Sequence, residues 1–254
     1  MARTALITGA SSGLGAEFAR QLAARGMDVV LVARSRAALD AVATEIRGAG
    51  ASGVEVLVAD LLQPDQRDAV VARLVDAQHP IDMLVNNAGY GLDLSFEAND
   101  IDEEVRHLSL HVEVSMRLVR AVLPGMLQRG SGRIVNVASV AGFMPRGTYG
   151  AAKAWLLNFS RWANVRYGPE GVTVTAVAPG FVHTNFHERL GLPPGEEGVP
   201  RGMWLQAHRV VSEALRDVAR GRSVSIPSLR YKALVTLARL LPDALVQRAA
   251  ERGR

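Results

Sequence analysis

Three residues in the middle of the chain have the types and spacing for proton chemistry. Ser139, Tyr149 and Lys153 stand in the stretch SVAGFMPRGTYGAAK, with the lysine four residues after the tyrosine. On a helix, positions i and i+4 share a face, so the phenol and the ammonium would point the same way. A free phenol ionises only near pH ~10. A neighbouring ammonium favours the phenolate and lowers that value, toward the working pH that suits a catalytic acid. The Ser139 hydroxyl could then hold a carbonyl oxygen beside the tyrosine. Taken alone, Y-x-x-x-K is also the spacing of an ordinary pair on a helix surface.

The elements that would position these residues begin at the N-terminus. MARTALITGASSGLG runs from an apolar stretch (Ala5, Leu6, Ile7) into Thr8-Gly9 and then an amphipathic helical pattern. Such a strand, glycine turn and helix presents backbone N–H groups to a pyrophosphate. Gly9, Gly13 and Gly15 allow the tight turn and close approach of a ligand, with Ser11, Ser12 and Leu14 between them. The spacing is G-x-x-x-G-x-G, not G-x-G-x-x-G, and a plain turn would read the same way.

TGASSGLG, the NNAG at Asn86–Gly89, the Ser139/Tyr149/Lys153 set and the APG at Ala178–Gly180 together resemble the classical short-chain dehydrogenase/reductases. Order and spacing match over residues 3 to 185. The resemblance implies a single Rossmann-like α/β domain with a doubly wound parallel sheet. It also implies hydride transfer between a nicotinamide cofactor and a small-molecule carbonyl or alcohol. Tyr149 would give or take the hydroxyl proton, Ser139 would orient the oxygen, and Lys153 would lower the tyrosine pKa and hold the nicotinamide ribose.

The same resemblance assigns cofactor contacts along the chain. Asp60 would meet the adenine amino group with Leu61 beside the ring, although an aspartate capping a turn before Pro64 fits equally. Asn87, Ala88 and Gly89 would let the cofactor lie across the strand ends. Pro179 and Gly180 would set the nicotinamide-facing turn, Val182 would bond the carboxamide through its backbone, and Thr184 would reach phosphate or carboxamide. At the end of the second predicted strand, Ala33 stands where an NAD-binding fold places a carboxylate. Arg34 follows, and a guanidinium forms strong bonds to a 2′-phosphate. That points to NADP(H) rather than NAD(H); a solvated arginine at a helix start is the alternative.

Two departures stand out. Thirteen residues before Pro124, where the family has a proton-relaying asparagine, this chain has His111. A neutral imidazole both donates and accepts, so His111 could serve a relay or simply be a packed helix residue. The interval from Ser139 to Tyr149 is ten residues, shorter than usual, which shortens the loop Gly142–Thr148 beside the pocket.

Composition sets the remaining bounds. At 254 residues and 48% hydrophobic, with a mean hydropathy of +0.11, the chain suits one packed α/β domain. Alternating apolar runs and helical patterns predict strands over 3–8, 28–33, 54–58, 81–85, 132–138 and 172–177. Helices are predicted over 14–25, 36–48, 65–77, 101–128 and 148–167. Absence of cysteine excludes disulfides and thiolate metal sites and fits a reducing, cytoplasmic setting. A strand starting at residue 3 leaves no room for a signal peptide ahead of it.

The core predicted to bind cofactor spans 1–185, and 186–227 is expected to be a substrate lid. It is rich in Gly and Pro, with Phe181, Phe186, Met203 and Trp204 as candidate apolar lining. The segment 228–254 is apolar and basic together. Nine Lys/Arg against three Asp/Glu from Arg216 onward give +6, within a net charge of +4. Sparse aromatics and no recognition motif argue against nucleic acid. Packing back on the domain is favoured over contact with a membrane surface, because the basic residues fall on no single face. The family implies a homodimer or homotetramer. The competing reading is a dinucleotide-binding sensor or scaffold with negligible chemistry.

Overall fold

The computed structural model describes residues 2–51, 53–92, 96–184 and 200–251. Strands β1 (Thr4–Thr8), β2 (Asp28–Ala33), β3 (Val54–Val58), β4 (Met83–Asn86), β5 (Gly132–Val137) and β6 (Val172–Val177) alternate with helices. The helices are α1 (Gly13–Ala23), α2 (Arg36–Gly48), α3 (Pro64–Val75), α4 (Ile101–Leu108), α5 (Ser115–Gln128) and α6 (Gly147–Tyr167). Beyond them lie β7 (Val182–His183), β8 (Leu205–Gln206), α7 (Ala207–Ala219), β9 (Val224–Ser225), α8 (Leu229–Ala238) and α9 (Asp243–Glu251). The main sheet has seven strands in the order β3-β2-β1-β4-β5-β6-β9. Every pairing in it is parallel.

The near-continuous Val/Ile/Leu runs of the strands are what a sheet buried on both faces requires. Alternation along each strand sorts them into two layers. Ile7, Leu31, Val85 and Val135 pack with residues of α1, α2 and α7. Leu6, Val30, Leu84 and Ile134 pack with residues of α3, α5 and α6. Full burial of each such side chain contributes ~1.5–3 kcal/mol. The strand order reverses between β1 and β4, which opens a crevice at the carboxyl ends of those strands. Glycine turn, NNAG segment and catalytic candidates all converge there.

Two segments differ from the sequence expectation. The helix expected over 101–128 contains a π-helical stretch, Ser109–Val114, between α4 and α5. The wider turn changes the hydrogen-bond step over a single turn while the residues keep helical propensity, so sequence does not mark it. Within the span 186–227, assigned to a lid, residues 207–225 pack into the core. Helix α7 buries Val210, Val211, Ala214, Leu215 and Val218, with Val211, Ala214, Leu215 and Val218 in the layer beneath α1. Strand β9 closes the sheet beside β6. Phe186 and 191–199 of the Gly/Pro-rich stretch lie outside the described residues.

The tail packs back over the carboxyl ends of the strands. Tyr231 and Val235 of α8 are buried with Val140, against Phe143, Phe181 and Met203. The Tyr231 hydroxyl accepts from the Phe181 N–H at 3.0 Å and donates to the Met203 carbonyl at 2.9 Å. Among the described residues no helix is long and apolar enough to cross a membrane.

Candidate active site

The glycine turn is a cradle that side chains would fill. Gly9 and Gly13 have φ of +66° and +54°, a region L-residues rarely enter. A Cβ on Gly15 would stand 2.2 Å from the Gly9 carbonyl oxygen and 2.5 Å from Asn87 Nδ2. Ser12, extended at φ −164°, caps the start of α1. The first N–H groups of α1 lie at the turn, where the macrodipole favours an anion. These residues fit a dinucleotide pyrophosphate.

Hydrogen bonds lock the floor of the crevice. Asn87 Nδ2 donates to the Thr8 and Gly9 carbonyls at 2.9 and 3.3 Å. The N–H groups of Asn87 and Ala88 donate to Thr8 Oγ1 at 2.9 and 3.0 Å. On the far side, Thr184 stands against Gly13: a Cβ there would lie 3.3 Å from the Thr184 Cβ. Pro179 accepts from the Val140 N–H at 3.0 Å. Gly180 lies under the Tyr231 ring, which a Cβ would approach to 1.9 Å. Val182 is buried in β7.

The residues just after β2 are exposed. Arg34 is exposed at the end of β2, on the same side as Tyr90, whose phenol feels its charge. Asp60 Oδ1 accepts from the Leu62 N–H at 3.1 Å, so its carboxylate shapes the turn after β3. Leu61 is buried with the α3 and α5 layer.

Ser139, Tyr149 and Lys153 come together. Ser139 follows β5, where its Oγ accepts from the Ala141 N–H at 3.1 Å, and it shares a hydrogen bond with the Tyr149 phenol. Lys153, one turn along α6, is buried and donates to the Val137 carbonyl at 2.8 Å. Its Nζ is 5.6 Å from the centre of the Tyr149 ring. Burial pushes the Lys153 ammonium down to about 7.

Tyr149 differs from expectation in one respect. Burial pushes its phenol up, and the opposing influences come from the Ser139 hydrogen bond and the Arg146 charge, not from Lys153. The Lys153 ammonium is bonded to the Val137 carbonyl instead. Arg146 was not legible as a site residue, because nothing in Pro145-Arg146-Gly147 marks it except its place just before α6.

Further residues emerge only in three dimensions. Asn86 Nδ2 donates to Asn136 Oδ1 at 2.9 Å, and Asn136 Nδ2 donates to Ser160 Oγ at 2.9 Å. This buried amide chain ties β4 to β5 and α6, and so fixes the catalytic helix against the strand ends. His111 is buried in the π-helical stretch, and its Nε2 lies 2.8 Å from the Tyr90 carbonyl. A contact that short requires Nε2–H as donor, so the longer 3.3 Å approach of the Tyr90 N–H to the same nitrogen is not a second bond. Nδ1 then carries the lone pair. Burial, Lys153 and His107 together hold His111 well below the ordinary histidine range. His107 is held at about 4 by burial and the Lys153 charge.

The chain is similar to known proteins over most of its length. The family model described as short chain dehydrogenase matches residues 3–193. A 3-oxoacyl acyl-carrier-protein reductase of Synechocystis sp. is 37% identical over 82% of this chain and 86% of its own. A short-chain dehydrogenase from Sphingobium yanoikuyae, solved in complex with NADPH, superposes with a TM-score of 0.84 at 38% identity, covering 92% of this chain and 93% of that one. The bulky-bulky ketone specific alcohol dehydrogenase from Comamonas testosteroni gives 0.80 at 34%, covering 92% and 91%. With the cradle, the switch-point crevice and the Ser–Tyr–Lys set in place, the chain belongs to the short-chain dehydrogenase/reductase family of oxidoreductases.

Proposed function

We propose that the protein interconverts a carbonyl and an alcohol on a hydrophobic small molecule, using NADP(H), with Tyr149 as the acid/base. The observation that carries this reading is the Ser139–Tyr149 hydrogen bond, one helical turn from a buried lysine, at the mouth of the glycine cradle. Bound NADP(H) supplies the hydride in reduction and accepts it in oxidation. Ser139 holds the substrate oxygen, and Tyr149 donates its proton there as charge develops. Lys153, with a pKa of about 7, returns a proton to the phenolate near neutral pH. Gly9, Ser11, Ser12, Gly13, Leu14 and Gly15 cradle the pyrophosphate, while Asn87, Ala88, Gly89, Pro179, Gly180, Val182 and Thr184 border the nicotinamide half. Asp60 and Leu61 lie at the adenine end.

The 2′-phosphate preference is supported by Arg34, exposed where Ala33 leaves no competing carboxylate. The S. yanoikuyae relative was solved with NADPH. A hydrophobic substrate is supported by Phe143, Met144, Phe181 and Met203, partly buried around Val140 and Tyr231. Self-association through the long helices belongs to the same reading, supported by Trp162 and Val165, both exposed on α6.

The test is reduction of a panel of aromatic and aliphatic ketones with NADPH. Tyr149→Phe is expected to lower turnover ~100-fold or more while NADPH, followed by fluorescence, still binds. Retained turnover in that variant would remove the acid/base assignment. NADPH binding without any hydride exchange would favour a sensor or scaffold.

A further inference from the structure

Among the described residues, six buried side-chain polar atoms lack a hydrogen-bond partner, and four lie on one helix: Glu104 Oε2, both ring nitrogens of His107 and His111 Nδ1. Their spacing of three and four residues aligns them on a single face across the junction of α4 and the π-helical stretch. Buried polar atoms are normally satisfied, and each one left alone costs ~1–3 kcal/mol. Four along one face form a buried polar row with unused hydrogen-bonding capacity.

The row has two ends. At the inner end, the His107 and His111 rings are centred 5.8 and 5.9 Å from that of Tyr149, and both feel the charge of Lys153. At the outer end, Glu104 Oε1 accepts from the half-buried Asn99 at 2.8 Å, just before α4. The two imidazoles, 4.3 Å apart, span the interval. Besides Tyr149 and Lys153 from α6, the loop after β4 brings up Tyr90. Its phenol donates to Glu103 at 3.5 Å, and its backbone partly offsets the effect of burial on His107. The three side chains are not arranged as a metal-binding group.

We propose that Glu104, His107 and His111 form a proton path between solvent at Asn99 and the Tyr149–Lys153 pair. Neutral imidazole takes a proton on one nitrogen and releases one from the other. His107, with neither nitrogen engaged, carries the transfer. His111, anchored through Nε2 to Tyr90, offers Nδ1 as a fixed acceptor for the water that joins His107 to Lys153. In the reducing direction each turnover moves one proton inward. Solvent at Asn99 delivers it to the Glu104 carboxylate, which hands it to His107; from His107 it passes through water to the Lys153 amine, and from Lys153 to the Tyr149 phenolate.

The proposal rests on the reductase reading, so the experiment begins with the wild type and the best ketone of the panel. His107→Phe is expected to lower kcat ~10- to 100-fold and to raise the solvent deuterium isotope effect on kcat, with the NADPH Kd unchanged. Glu104→Gln should move both in the same direction by less. In His107→Ala, added imidazole should restore turnover where thiophene, a ring without a proton-carrying nitrogen, does not. An unchanged kcat and isotope effect in His107→Phe, or equal rescue by thiophene, would overturn the path. Should His107→Phe fail to fold or to bind NADPH, His107→Gln decides by the same isotope criterion. A wild type that binds NADPH but reduces no ketone would instead sink the reductase reading, and this path with it.

Discussion

Lys153 carries a cost that its chemistry explains. Its folded pKa of about 7 lies below the ordinary 10.5, so the folded protein prefers the neutral amine. Between those two values the unfolded chain binds more protons, and this group makes stability rise with pH across that window. Below pH 7 the full penalty remains, on the order of 5 kcal/mol. Lys153→Met should therefore stabilise the apo protein by ~1–3 kcal/mol at or below pH 7 while abolishing turnover. Urea denaturation at several pH values would measure it, and an equal or lower midpoint in the variant would contradict it. His107 and His111 act at lower pH. Both are held neutral, so stability should fall as pH drops from the ordinary histidine range toward 4, with a shallower slope in His107→Phe. Arg34 belongs to the same scale: Arg34→Ala should weaken NADPH ~10- to 100-fold and leave NADH nearly unchanged. Equal losses in a fluorescence titration would end the 2′-phosphate assignment.

At the scale of the element, the glycine turn tolerates no side chain where β1 and β4 meet. Gly15→Ala sets a methyl into the Gly9 carbonyl and the Asn87 amide, so the turn must open or the Asn87 bond must break. We expect a loss of ~2–4 kcal/mol and a larger loss of NADPH affinity, read by thermal melting with and without cofactor; an unaltered melt would refute the close packing. Elements of this kind were legible in the sequence because each couples a local pattern to a local geometry. Thr8–Gly15 announces a turn before a helix, and Tyr149/Lys153 announces a shared helix face. The π-helical stretch was not legible, because Ser109–Val114 keeps helical propensity while changing the hydrogen-bond step. Nor were the partners of His111, since Tyr90 and His107 meet it only after α4 folds across the crevice. Asn136 and Ser160 were invisible for the same reason. A buried amide chain depends on which strands become neighbours, and no spacing along the chain records that.

For the molecule as a whole, the sheet and its two layers follow from the alternating apolar runs, and those were readable. The limit of the core was not. Residues 207–225 read as the continuation of an irregular lid, because Gly and Pro crowd the segment before them and β9 is only two residues long. Yet α7 lies under α1, where Gln21 Nε2 donates to the His208 carbonyl at 2.9 Å. That contact joins two elements far apart along the chain. The apolar face of α1 thus emerges about 180 residues before its cover. At typical synthesis rates this is a wait of roughly 10–40 s. Throughout it the newborn chain carries Phe18 and Leu22 without α7. A chain cut short before α7 would leave that face of α1 uncovered and open to aggregation or proteolysis.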